Sequence, residues 1–182
     1  MELHCQQMSP GEVEQVHDML RLCGLDMQER LGLSHWVPPY PLEALLRSAQ
    51  ERQVYAVFLE GHMVATFTIG TQIPPYYREI PALWERWGLS PTRALYVNRL
   101  AVLPALQGKG IGRWCMRRIE RLALAQGCEV IRLDAYGKHL GLLTFYTKLG
   151  YVSQGHFFFT LPPYGETEAV CFEKPRQDFA VR

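Results

Sequence analysis

The chain has 182 residues, of which 48% are hydrophobic, and a formal net charge of +1. This length lies within the range of one domain, and the apolar fraction suffices for a full hydrophobic core. A near-neutral chain lacks the electrostatic surplus of a nucleic-acid-binding domain, so we expect no nucleic acid partner.

The cysteine and histidine patterns exclude further classes. The five cysteines include no Cys-x-x-Cys pair, and the six histidines show no His-x-x-x-His spacing, so we expect neither a disulfide framework nor a metal site. No run of roughly 18 apolar residues occurs, and the N-terminus lacks a basic region followed by an apolar one. We therefore predict a reduced, cytoplasmic protein that neither spans nor binds a membrane.

The first half of the chain predicts two helices and three strands. Ser9 and Glu12 have the capping-box spacing, with a proline at the first helical position. Glu60-Gly61 between two apolar runs is a hairpin signal. The predicted elements are a strand at residues 2–8, a helix from the capping box to about residue 23, a helix at about 42–50, and strands at 53–59 and 62–71.

The second half starts with an irregular segment, residues 73–92, which contains four prolines and several aromatics. A short helix is predicted within it, at about residues 82–87. The elements that follow are a strand at 94–103, a helix to about 126, a strand at 129–135, a helix at 140–149, and strands at 151–160 and 167–173. Strands alternating with helices and hairpins predict a mixed sheet in an α/β or α+β sandwich. Without an internal repeat or linker, we predict a single domain over residues 1–182.

A glycine-rich loop, residues 107–112, stands between a predicted strand and a predicted helix. Glycines at alternate positions leave the backbone N–H groups of a helix N-terminus uncovered, and such groups bind anions, above all phosphate. A P-loop is excluded because no hydroxyl residue follows Gly108-Lys109, and a dinucleotide fingerprint is excluded because the pattern is Gly-x-Gly-x-Gly. The alternative is a turn that only caps the helix.

Two motifs stand in the second half of the chain. The first is Gln107-x-x-Gly110-x-Gly112, and the second is Leu133-Asp134-Ala135 followed by Phe145-Tyr146-Thr147-Lys148-Leu149-Gly150-Tyr151. The first resembles the pyrophosphate loop, and the second resembles the second signature, of the GNAT superfamily of acetyl-CoA-dependent N-acetyltransferases. The resemblance covers roughly residues 94–152. It implies a mixed, mostly antiparallel sheet of about seven strands flanked by helices, acetyl-CoA as co-substrate and no metal.

The resemblance also implies which residues bind the co-substrate. Backbone N–H groups of Leu100, Ala101 and Val102 would polarise the thioester carbonyl on a strand that splays from its neighbour. His139 stands where the family usually has an asparagine that contacts the pantetheine arm, and it could make the same contact. The alternative is that His139 simply replaces this asparagine. The pyrophosphate would be held by Gln107, Gly108, Lys109, Gly110, Ile111, Gly112 and Arg113. The basic residues Arg113, Arg117, Arg118 and Arg121 fit a solvated helix face, or one or two of them reach the phosphates.

Two residues are candidates for proton transfer. Tyr146 stands where the family has a tyrosine that protonates the departing thiolate, and its alternative role is a core aromatic. Asp134 stands where some members have a glutamate base; the alternative is a carboxylate that caps a loop. Asn98 and Tyr96 are candidates to position a water for this base. We expect no acyl-enzyme, because Cys115, the cysteine near the loop, is expected to face the core.

The acceptor is expected to be a primary amine of a small molecule or peptide. Its groove is assigned by resemblance to residues 36–40, 73–92 and 161–166, which are rich in aromatics and proline. Glu79, Glu85 and Glu166 are candidates to attract an ammonium; alternatively these aromatics form core or a homodimer face. The competing functions are a non-catalytic acyl-CoA-binding sensor or regulatory module and another kind of nucleotide-binding protein.

Overall fold

The computed structural model describes residues 2–78, 80, 82, 83, 93–161 and 163–180. Seven strands form one sheet in the order β1-β2-β3-β4-β5-β7-β6. The strands are β1 (Leu3–Gln7), β2 (Gln53–Leu59), β3 (His62–Gly70), β4 (Ala94–Val102), β5 (Val130–Tyr136), β6 (Val152–Leu161) and β7 (Gly165–Pro175). The helices are α1 (Val13–Leu31), α2 (Leu42–Glu51), α3 (Pro75–Arg78), α4 (Ile111–Ala125) and α5 (Leu140–Lys148).

The predicted mixed, mostly antiparallel sheet is confirmed. The pairs β1–β2, β2–β3, β5–β7 and β6–β7 are antiparallel. The pair β4–β5 is parallel, with a register from Ala94↔Val130 to Val97↔Leu133. A parallel pair needs a crossover, which here contains α4 between the two strands.

The chain packs as two compact units. The first comprises Met1–Gly70 and Asn98–Met116, and the second Thr71–Val97 and Arg117–Arg182. The chain therefore passes from one unit to the other three times: after Gly70, within β4 and within α4. A single domain over residues 1–182 stays a prediction.

The first unit contains α1 and the β2–β3 hairpin. Its hairpin turn has positive φ at both central residues, 50° at Glu60 and 80° at Gly61, which is the pairing of a type I′ turn. The predicted end of α1 at about residue 23 is wrong, because the helix continues to Leu31 and ends at Gly32, whose φ is 67°. Buried Met27 extends the apolar face by one turn, and Gly24 permits a close approach: a Cβ there would lie 2.8 Å from the carbonyl oxygen of Trp36.

The second unit contains a buried ion pair. The amino group of Lys174 on β7 lies 2.9 Å from Oε1 of Glu120 on α4, and these side chains are 5% and 3% exposed. Lys174 also donates to the carbonyl of Leu149 (2.8 Å), and Glu120 accepts the backbone N–H of Ala180 (2.7 Å). Burial, followed by the nearby Glu120, raises the pKa of Tyr151 well above its ordinary value. The pair thus anchors the end of α5 and the C-terminal segment.

Replacing Lys174 by methionine is expected to lower the free energy of unfolding by about 3–5 kcal/mol, because it leaves the buried Glu120 carboxylate without its partner. Urea unfolding measures this loss. The matched control is Lys148→Met on the exposed side of α5, which should change stability by no more than about 0.5 kcal/mol. Equal effects of the two substitutions would contradict a stabilising role for the pair.

Candidate active site

The glycine loop lies in the first unit and has the backbone geometry of an anion cradle. Gly108 and Gly110 have φ values of 77° and 87°, and a Cβ at either would meet no atom within 4 Å. The first hydrogen bond of α4 runs from Trp114 N to Gly110 O (3.0 Å). The N–H groups of residues 111–113 precede this bond, so they have no acceptor in the helix and are available to a ligand.

Gln107 fixes the loop to its surroundings. Its Nε2 donates to the carbonyl of Val102 (3.2 Å), and its Oε1 accepts from Nη2 of Arg30 at the end of α1 (3.0 Å). Asp26 holds that guanidinium with bonds of 2.8–3.1 Å and raises its pKa. The sequence analysis missed Arg30 and Asp26, since nothing in the local sequence links them to a loop far along the chain.

The candidate carbonyl-polarising residues follow a backbone irregularity in β4. Arg99, directly before Leu100, has a φ of 52°. Ala101 is buried, whereas Leu100 and Val102 are half-buried. β4 pairs with β5 from Ala94 to Val97, and these three residues follow that paired stretch. Their contact with a thioester, and the predicted splaying of the strand, stay predictions.

The cysteines are placed unfavourably for nucleophilic catalysis. Cys115 is fully buried, as expected, and burial followed by the nearby Cys5 raises the pKa of its thiol to about 12. Burial, with a smaller effect of Asp26, also raises the pKa of Cys23 to about 12, and its Sγ donates to the carbonyl of Val102. Such thiols carry almost no thiolate near neutral pH.

Tyr146 lies in α5 of the second unit and is 4% exposed. Its ring contacts those of Phe145, Tyr151 and Phe172, at centroid distances of 5.2, 5.9 and 5.7 Å. This packing fixes the ring and is compatible with either of its predicted roles. At the start of the same helix, Nδ1 of His139 accepts the backbone N–H of Leu142 (3.1 Å), so the side chain caps α5. The capping role was not predicted; the contact with the pantetheine arm stays a prediction.

Asp134, near the end of β5, receives two phenol hydrogen bonds on one oxygen. Tyr77 donates to its Oδ1 in a short hydrogen bond, and Tyr76 donates to the same atom at 3.2 Å. Although part of Asp134 is accessible, the protein packed around the carboxylate raises its pKa, and the two phenols lower it by smaller amounts. Burial, followed by Asp134, holds the pKa of Tyr77 well above 10, so Tyr77 stays a donor. Both tyrosines belong to the irregular segment 73–92 of the sequence analysis, which missed this contact.

The remaining candidates are placed as follows. Tyr96 is fully buried, with its ring 5.9 Å from that of Tyr77. Glu166 is exposed on β7.

The described residues contain no group of three or more side chains that could hold a metal ion, and no described helix is long and apolar enough to cross a membrane. Three arginines of α4 are exposed, namely Arg113, Arg117 and Arg121. The fourth, Arg118, is half-buried. Glu79, Glu85 and most of the helix predicted at 82–87 lie outside the described residues.

Comparisons with known proteins identify the class. The family model of the acetyltransferase (GNAT) family matches residues 17–151. No curated protein sequence matches. The chain belongs to the GNAT acetyltransferase family, and the predicted family and enzyme class are confirmed.

Solved structures show the same fold at low sequence identity. A chimera of the Vibrio cholerae spermidine N-acetyltransferase has a TM-score of 0.67 and 14% identity, over 100% of both chains. An IAA acetyltransferase from Bacillus cereus has a TM-score of 0.66 and 14% identity, over 96% of this chain and 99% of that one. A Bacillus subtilis acetyltransferase in complex with CoA has a TM-score of 0.65 and 12% identity, with the same coverage.

Proposed function

We propose that the protein transfers the acetyl group of acetyl-CoA to a primary amine of a small molecule or peptide, by direct attack in a ternary complex. The observation that carries the proposal is the glycine loop before α4, with its left-handed glycines and the N–H groups that precede the first helical bond. A Cβ at Gly108 or Gly110 would fill the space that a pyrophosphate needs, so the residues present fit this ligand. Acetyl-CoA would supply an activated acetyl thioester.

The main candidate residues have the following roles in this proposal. The amides of Gly108–Arg113 bind pyrophosphate, and the side chain of Gln107 fixes their position. Backbone N–H groups of residues 100–102 polarise the thioester carbonyl; a preorganised donor of this kind is typically worth about 10²–10³ in rate. Asp134 accepts the proton of the ammonium, directly or through a water, and Tyr146 protonates the leaving thiolate.

Direct attack is supported by the chemistry of Asp134 and of the cysteines. An alkylammonium has a reference pKa of about 10.4 and must lose its proton before it attacks. A carboxylate whose pKa is raised by burial is a stronger base than one in water, and the two phenols keep it oriented. The buried Cys23 and Cys115 thiols are poor candidates for a covalent intermediate.

Isothermal titration with acetyl-CoA, with ATP and NAD as controls, tests the proposal first. Saturable binding of acetyl-CoA alone, followed by thiol release with members of an amine panel, would support it. Binding without thiol release for any amine would favour the non-catalytic acyl-CoA-binding module, and binding of ATP or NAD alone would favour another nucleotide-binding function.

Substituting Gly110 by alanine is expected to weaken acetyl-CoA binding by at least about tenfold. A left-handed backbone disfavours alanine by about 1–2 kcal/mol, and the added methyl group enters the space proposed for the pyrophosphate. Gly61→Ala is the matched control, because Gly61 has a φ of 80° and open space in the β2–β3 turn. Titration should show an unchanged Kd for Gly61→Ala; similar losses in both variants would mean that destabilisation, and not the ligand contact, is responsible.

A further inference from the structure

Arg99 has a backbone conformation that its position in a strand does not require. Two non-glycine residues have positive φ among the residues that the structure describes, Glu60 and Arg99. Glu60 needs this conformation because it forms the β2–β3 turn. Arg99 lies within β4, where a φ of 52° is unfavourable for a residue with a side chain. Such strain is concentrated at functional sites, so its cause should be sought in what the side chain does.

The guanidinium of Arg99 is held by neutral groups. Its Nη2 donates to Oγ of Ser48 on α2 (2.8 Å) and to the hydroxyl of Tyr40 (3.2 Å), and its Nη1 lies 3.5 Å from Oγ1 of Thr68 on β3. Its Cζ stands 4.5 Å from the centroid of the Tyr40 ring. Ser48 donates its own proton to the carbonyl of Ala44, so its lone pairs face the guanidinium. These contacts orient the group without neutralising its charge.

No carboxylate among the described residues forms an ion pair with Arg99, although its side chain is half-buried. Charges withdrawn from water are ordinarily paired with an opposite charge. Three hydrogen bonds use Nη1 and both protons of Nη2, which leaves donors on Nε and Nη1. A fixed guanidinium with unused donors suits a carboxylate, which it binds by charge-assisted hydrogen bonds.

We propose that Arg99 binds the carboxylate of the acceptor, so that the acceptor class is an amine that also carries a carboxylate, such as an amino acid. This inference rests on the proposed acetyl transfer and narrows its substrate. Tyr40, which holds the guanidinium, ends the segment 36–40 that the family resemblance assigns to the acceptor groove. An aromatic residue beside the carboxylate site also accommodates an apolar side chain of the acceptor.

The test compares amines that differ only in the carboxylate: phenylalanine with phenethylamine, and leucine with isoamylamine. The wild type should acetylate the amino acids with a kcat/KM at least about 100-fold higher than that of the decarboxylated amines. Arg99→Gln should remove about 100-fold or more of that preference, the size of effect expected when a hydrogen-bonded charge pair loses one partner. Its activity on the decarboxylated amines should fall far less than its activity on the amino acids, and its KM for acetyl-CoA should not rise.

Two further variants separate binding from structure. Arg99→Lys keeps the charge but loses the hydrogen bonds that hold the guanidinium in place, and should retain part of the preference. Arg47→Gln, on the exposed side of α2 one residue before Ser48, is the control and should retain all of it. Equal losses on both members of an amine pair in Arg99→Gln would show a purely structural role and overturn the proposal, as would a wild type without preference for the carboxylate or a raised KM for acetyl-CoA.

The same proteins distinguish failure of this proposal from failure of the proposed transfer. If the wild type acetylates none of these amines, titration calorimetry with phenylalanine in the presence of coenzyme A shows whether Arg99 binds a carboxylate. Binding that Arg99→Gln abolishes and Arg47→Gln preserves would support the carboxylate site without acetyl transfer. Absent binding, or binding that all variants share, would overturn it.

Discussion

Replacing Tyr146 by phenylalanine is expected to lower kcat by about 10²–10⁴-fold, the usual contribution of a positioned general acid. The substitution removes one hydroxyl and leaves the ring, whose contacts with Phe145, Tyr151 and Phe172 keep α5 packed. The affinity for acetyl-CoA should stay nearly unchanged, since the proposed phosphate contacts are made by the glycine loop. Steady-state kinetics with a thiol readout, combined with titration of acetyl-CoA, measures the two quantities separately.

Tyr151→Phe is the matched control for this substitution. Tyr151 is also a buried tyrosine, 2% exposed, and its ring packs against that of Tyr146. Burial, followed by the nearby Glu120 carboxylate, raises the pKa of its phenol. This hydroxyl has no part in the proposed proton transfer, so its removal should leave kcat unchanged. An unchanged kcat in Tyr146→Phe, or an equal fall in both variants, would return Tyr146 to the role of a core aromatic.

The second large effect is expected from Asp134→Asn, which should reduce kcat/KM by about 10²-fold or more. Asparagine preserves the shape of the side chain and an oxygen that accepts from Tyr76 and Tyr77, but it cannot take a proton from the ammonium. A general base acts in its ionised form, so the wild-type rate should rise with pH through the pKa of Asp134. Because burial raises that pKa, the rise should lie above the range of an ordinary aspartate.

The pH–rate profile of Tyr76→Phe separates a catalytic from a purely structural role of the Asp134 carboxylate. The Tyr76 hydroxyl lowers the pKa of Asp134, so its removal should raise that pKa further and move the acidic limb of the pH–rate profile to higher pH. Asp134→Asn should abolish this limb. If the limb stays in place in both variants, Asp134 is not the base, and a different proton acceptor must be sought.

The parts of the site formed by consecutive residues were predictable. The glycine-rich loop before α4 and the turn at Glu60-Gly61 follow from local backbone sterics, which the residue types themselves reveal. The helix end at residue 23 was placed too early, because the local pattern does not show that Gly24 is needed for the approach of Trp36. Local helix propensity predicts that α1 ends near residue 23, whereas the packing of the folded chain allows the helix to continue to Leu31.

Contacts between distant residues were not predictable. The bond from Arg30 to Gln107 spans 77 residues, and those from Tyr76 and Tyr77 to Asp134 span 58 and 57. No periodicity or motif specifies such a pair, since each side chain alone looks like an ordinary surface or aromatic residue. The charge state and strength of Asp134 depend on these partners and on burial, which are properties of the folded chain.

The sequence by itself therefore determined the family, the order of the strands and of the four longer helices, and the glycine-rich loop proposed to hold a phosphorylated ligand, because these depend on neighbouring residues and on backbone geometry. Only the tertiary structure decided that Asp134 lies beneath two phenols, that His139 caps α5, and that Arg99 is a fixed cation with neutral partners. These features arise when burial and long-range packing change the electrostatic environment of a side chain, and no local stretch of sequence contains that information.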